Sequence, residues 1–265
     1  MGHSRIGTLP ASKQWQDVVS LVAKGADVAA IAEAVQVAAA KTLARVRDDA
    51  GFREAMRLVM QLALAGTSKN PTAELAAAGI PLSENSTQVD MVLAIGDEYD
   101  RRIESTRQRS DFSEVAQAAL VGAVTELFNK KESQQKTLFE SAGADVTAAL
   151  KQLKQPKQFG EFFRGFVGGI SDGLLQIYLS RTNGTHLGKG QSMATTNQLR
   201  QFEGAMKTHC HEAAKIVEKF AADWIHKYRD RGAGDISREK AEGFGWVAFR
   251  KMNLELAARA RKHGD

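Results

Sequence analysis

The side chains best suited to chemistry stand together at His209, Cys210 and His211. Imidazoles and a thiolate are zinc ligands, and a thiolate beside a base is a nucleophile. Their spacing argues against both roles. On a helix, residues i, i+1 and i+2 point about 100° and 200° apart, so the three cannot converge on one ion. The text HCHEAAK also lacks the second histidine of an HExxH motif. Cys210 therefore reads as a buried structural thiol, and neither a metal site nor a cofactor is expected.

The segment GTHLGKG, residues 184–190, invites comparison with a phosphate-binding P-loop. Its first spacing is one residue short, Gly190 stands where a magnesium-binding Ser or Thr is needed, and no buried strand precedes it. What survives is a basic, glycine-containing loop in which His186 and Lys189 accompany backbone N–H groups able to face an anion. The run GDEYDRRIE, residues 96–104, places Asp97, Asp100 and Glu104 along one helical face, as carboxylate metal sites do. Arg101 and Arg102 lie among them, and no matching acidic pair occurs on another helix, so this reads as a solvated or salt-bridged face. No Ser-His-Asp set, nucleophile elbow or pair of opposed carboxylates is visible, and no catalytic residue is assigned.

These groups sit on elements whose apolar spacing is helical almost throughout, with no period-2 run of β-branched residues. A first helix is expected over Ser12–Lys24 and a second from Asp27 to Asp48 or Asp49. A third runs over Gly51–Ala65, ahead of the turn-rich GTSKNP. A short TAELAAAG helix leads to one from Thr87 to about Arg109, and Ser110 or Asp111 caps the next. The polar run NKKESQQK, 129–136, marks a boundary, followed by helices around 134–141 and 144–154. Phe159–Leu179 is the most apolar helix. A glycine-rich loop follows at 181–191, then helices over Thr195–Tyr228 and Ser237–Lys262. The fold class is thus all-α, a compact multi-helix bundle read either as one domain or as subdomains 1–130 and 131–265.

Composition agrees with that class. The 265 residues are 43% hydrophobic and 25% charged, an ordinary globular mix, and four prolines with three Trp and three Tyr disfavour a large β-sandwich. The net charge of +5 is concentrated: residues 181–265 hold 16 Lys+Arg against 10 Asp+Glu, whereas residues 1–180 are close to balance. A local basic surface attracts phosphates and acidic partners. Arg181, His186, Lys189, Arg200 and Lys227 are its candidate phosphate contacts, with Trp224, Tyr228 and Trp246 as the available stacking rings. A single cysteine suits a reducing cytosol, and the opening MGHSRIGTLPASKQW lacks a basic region followed by an apolar run, so a cytoplasmic protein is expected.

Two further patterns carry alternatives. VVSLVAKGADVAAIAEAVQVAAAKTLARVR has the cadence of a helix-turn-helix, but Gln36 occupies the turn that wants glycine, and one long helix is simpler. Gly165, Gly169 and Gly173 form a GxxxGxxxG stripe in the apolar helix, whose 21 residues would reach about 31 Å. Asp172, Arg164 and Glu161 oppose a membrane span, each charge costing about 2.5–3.5 kcal/mol at mid-bilayer. The glycines instead suit close approach of another helix.

YLSRTNGTHLGKG, THCHEAAKIVEKFAADWIHKY and ISREKAEGFGWVAFRKMNLEL, with GADVAAIAEAV and RVRDDAGFREAM near the start, are similar to uncharacterised all-helical bacterial proteins. That resemblance implies a helical bacterial fold, a place in a multi-gene system such as phage defence, and no activity. The leading expectation is a non-enzymatic subunit or adaptor that binds a protein partner or its own copies. The alternatives are a nucleic-acid-binding protein using the basic C-terminal third and a membrane-perturbing effector using helix 159–179.

Overall fold

The computed structural model describes residues 48–132, 146–183, 196–230 and 236–262, together with scattered positions between 13 and 37. Among the described residues nine helices pack without a β-strand: α1 (Ala50–Ala65), α2 (Pro71–Ala77), α3 (Gln88–Thr106), α4 (Asp111–Glu132), α5 (Val146–Gln152), α6 (Pro156–Asn183), α7 (Thr196–Ala213), α8 (Lys215–Asp230) and α9 (Arg238–Lys262). The protein is all-α and compact. One buried cluster runs from Val18 and Ile31 through α1, α4 and α6 to Met252, with members on both sides of residue 130.

Side-chain caps set where several helices begin. The Asp49 carboxylate accepts from Phe52 N at 3.1 Å, opening α1. Its other oxygen accepts from the Ser110 hydroxyl at 2.7 Å, and Ser110 in turn accepts from Ser113 N at 3.1 Å, opening α4. One carboxylate therefore joins two helix starts, each cap contributing about 1 kcal/mol. Gly51 makes room there, because a Cβ on it would lie 2.7 Å from the Tyr99 hydroxyl. That hydroxyl donates to Ser113 O at 2.8 Å. Thr87 and Asp90 form a capping box at the start of α3, and the helix ends where Arg107 takes a left-handed φ of 55°.

The central element is α6. Pro156 occupies a first-turn position, where its missing N–H costs nothing, so the helix starts before Phe159 and extends beyond Leu179 to Asn183. Arg181 thus belongs to this helix and not to the loop expected at 181–191. Its glycines divide between two neighbours. A Cβ on Gly169 would stand 3.2 Å from Ala119 Cβ, and one on Gly173 would stand 2.8 Å from Val115 Cγ1, so this stripe meets α4. On another face, a Cβ on Gly160 would stand 2.5 Å from Glu218 O of α8, and one on Gly168 would stand 3.2 Å from the His211 ring of α7. The glycine stripe serves helix packing, and no described helix is long and apolar enough to cross a membrane.

Apolar rings then lock α9 across the bundle. Phe244 lies 4.8 Å from Phe163 and 4.4 Å from Trp224 between ring centroids, while Phe249 meets Phe52 of α1 at 5.7 Å. Arg229, near the end of α8, donates to the carbonyls of Ala63, Leu153 and Lys154. A guanidinium there satisfies carbonyls at the C-terminal ends of α1 and α5 that have no helical partner.

Several expected boundaries shift for local reasons. The helix expected to reach Arg109 stops at Thr106, and the stretch expected as Thr195–Tyr228 breaks at Ala214 into α7 and α8. The described residues near the start, including Lys13, Val18, Ile31 and Ala34, are helical. The turn near Gln36 that would decide a helix-turn-helix, and the helix expected around 134–141, lie outside the described residues.

Gly169→Leu should destabilise the fold by about 3 kcal/mol or more, since the added atoms must displace α4 backbone. Gly122 and Gly243 are mid-helix positions where a Cβ meets nothing within 4 Å. Gly122→Ala and Gly243→Ala should each add about 0.5–1 kcal/mol. Urea unfolding followed by circular dichroism tests both directions.

Candidate functional site

Of the residues proposed from sequence to contact phosphate, Arg200 and Lys227 have described side chains. Arg200 is exposed in α7 and Lys227 is exposed near the end of α8. Asp172 faces Lys207, Gly168 faces His211, and Gly160 faces Glu218, so α7 and α8 follow one another along α6 in the opposite sense. The 27 positions between Arg200 and Lys227 correspond to about 40 Å of helical rise. Arg181 is placed in the last turn of α6, and His186 and Lys189 lie outside the described residues.

A different cationic surface lies between α6 and α8. An open cleft of about 460 Å³ is lined by Lys157, Arg164, Lys215, Glu218, Lys219 and Ala222. Beside it the two backbones approach closely at Gly160, where a Cβ would stand 2.5 Å from Glu218 O and 3.3 Å from Ala222 Cβ. Arg164 is its floor: Nε donates to His211 O at 2.9 Å, Nη1 to Glu218 at 3.2 Å and Nη2 to Glu212 at 3.2 Å. With 24% of its side chain exposed, it is committed to holding α7 and α8 on α6. Lys215 pairs with Glu212, and Lys157 lies 4.0 Å from Glu161 with 79% of its side chain exposed. Lys219 is exposed and has no ion pair among the described residues. The rim thus offers ammonium groups to solvent, interleaved with glutamates.

Three further titratable groups, on α6 and α7, are buried or half-buried. Cys210 is buried, and burial pushes its thiol well above the ordinary range, so it is neither thiolate nor accessible. His211 is half-buried against Gly168, and desolvation lowers its basicity. Half-buried Asp172 is shifted up, chiefly by desolvation, with Gln176 at 3.5 Å and Lys207, His211 and Glu203 of α7 nearby. Among the described residues no three His, Cys, Asp or Glu side chains come together as a metal site.

The acidic run on α3 resolves into distinct roles. Asp97 and Glu104 are exposed, whereas Asp100 meets Arg109 at 3.0 Å and Gln117 at 2.8 Å. The residue that sequence reasoning missed is Glu98, 3% exposed, which Arg101 grips through two bonds of 2.7 Å and Arg102 through Nε. Glu54 of α1, also 3% exposed, is gripped by Arg57 at 2.9 Å and approached by Arg238 of α9 at 3.4 Å. Arg102 bridges onward to Gln61 at 2.8 Å. The i,i+3 and i,i+4 Glu–Arg spacings were visible in the text, but nothing in them distinguishes a buried pair from an exposed one. Removing Glu98 would leave the largely buried guanidinium of Arg102 without its main partner, so this network serves structure.

Comparison with protein-family models, with characterised proteins and with solved structures finds no match.

In native protein Cys210 should resist thiol reagents and become reactive only on unfolding, which labelling across a urea series reads directly. Asp172→Asn should raise the melting temperature at pH 7. The folded state holds the Asp172 proton more tightly, so wild type loses stability as pH rises above the acid's ordinary 3.8. The variant escapes that loss, and the difference should vanish below that pH in melting curves.

Proposed function

We propose that this protein is a non-enzymatic helical subunit that docks an acidic protein surface through the cleft between α6 and α8. The observation carrying this reading is the cleft rim, where exposed Lys157 and Lys219 stand beside a floor already neutralised by its own glutamates. A rim of mixed sign suits a protein face, which can offer a carboxylate to each ammonium and keep clear of each glutamate. A dense phosphate backbone would meet Glu161, Glu212 and Glu218 as repulsion. The engagement of Glu54, Glu98 and Arg164 in ion pairs, and the burial of Cys210, support the non-enzymatic part.

Nucleic acid is the competing ligand for the wider basic surface that includes Arg200 and Lys227. Anisotropy titrations with a labelled acidic helical peptide and with single- and double-stranded DNA and RNA, at about 50 and 200 mM salt, separate the two. The peptide should bind, and Lys157→Glu with Lys219→Glu should remove that binding. Nucleic-acid binding that falls about 10³–10⁵-fold over this salt range, and is lost on reversing Arg181, Lys189 and Lys227, would replace the protein-docking reading.

A further inference from the structure

We infer that the occupant of the α6–α8 cleft is the outer face of α3 from a second copy of this chain, in a head-to-tail contact. The inference rests on the protein-docking reading of the cleft and names its partner. Val89 is 64% exposed and Leu93 58% exposed, one turn apart on α3. Helical spacing puts Asp97 and Glu104 on the same stripe. Both acids are exposed, and neither has an ion pair among the described residues. The other carboxylates of α3 are occupied: Asp90 in the capping box, Glu98 by its arginines, and Asp100 by Arg109 and Gln117. The helix therefore presents an apolar and acidic stripe whose members have no assigned task within the fold.

The cleft rim and the α8 surface beside it carry the complement. Ile216, outside the cleft lining, is 39% exposed and lies one turn from Lys219 of the rim. On α3, Leu93 likewise lies one turn from Asp97, an apolar and an acidic side chain able to meet Ile216 and Lys219. Lys157 on α6 supplies a second cation for Glu104. Within one molecule α3 packs on α1 and α4, while the cleft lies between α6 and α8. Two different surfaces in contact make a heterologous interface. Each added copy leaves one stripe and one cleft open, giving chains, or a ring if the rotation closes.

Sedimentation velocity of the full chain over a concentration series tests this at about 50 and 500 mM salt. At low salt the weight-average mass should climb above the 28.8 kDa of one chain, with association weakening about tenfold or more at high salt. The pair Lys157→Ser and Lys219→Ser should be monomeric, as should the pair Leu93→Ser and Asp97→Ser, with unchanged circular dichroism because all four side chains are exposed. An equimolar mixture of the two variants should form a dimer and stop there, since one copy keeps only its stripe and the other only its cleft. A wild-type monomer at every concentration would overturn the inference, as would self-association that neither variant affects. If wild type stays monomeric while its cleft still binds the acidic peptide, the self-docking proposal falls and the docking surface stands.

Discussion

A Cβ on Gly160 would stand 2.5 Å from the Glu218 carbonyl oxygen, and one on Gly169 would stand 3.2 Å from Ala119 Cβ, so α6 is gripped on two sides at separations a side chain could not share. Backbone-to-backbone approach of this kind gains many small dispersion contacts and leaves little freedom to slide. It also sets the remaining geometry. With α4 and α8 drawn in, the phenylalanines of α6 point into one core, where Phe159 and Phe163 meet Phe244 of α9. Beside the approach at Gly160, Lys157 and Lys219 line an open cleft.

Around that axis the ionic groups are arranged to be neutralised inward and displayed outward. Glu54 and Glu98 are almost completely buried; Glu54 is met by Arg57 of its own helix and by Arg238 of α9, and Glu98 by Arg101 and Arg102 of its own helix. Such pairs add little net stability relative to apolar side chains, but breaking one is costly, so they fix which helices meet. Arg164 and Arg229 act similarly at the ends of helices, one beneath the cleft and one on the carbonyls closing α1 and α5. The ammonium groups left over stand at the rim. Surface charges of that kind govern encounter and choice of partner more than they govern folding.

How far the sequence reveals this arrangement depends on the range of the interaction. Caps act over three or four residues, so the start of α3 at Thr87 and of α4 near Ser110 could be read directly. The GxxxGxxxG stripe was legible as a place of close approach, because glycine in a helix interior is costly unless something occupies the space. Its partner was not legible, since nothing local identifies Ala119 and Val115 as the facing residues. Asp97, Asp100 and Glu104 looked like the significant acids of α3, yet Glu98 is the buried one. Only the packing of α3 on α1 determines which side of that helix faces inward.

The all-helical class, the positions of most helices, the buried character of Cys210 and the excess of cations in the last third were decided by the sequence alone, through periodicity, capping chemistry and composition. Which cations share a cleft was decided by tertiary structure. Arg200 and Lys227 share a charge-rich segment but are separated by about 40 Å of helical rise. Lys157 and Lys219, 62 positions apart in the chain, line one cleft. Neighbourhood along a chain is set by covalent geometry, whereas neighbourhood on a surface is set by how closely two backbones can approach. In this protein the glycines of α6 set that distance.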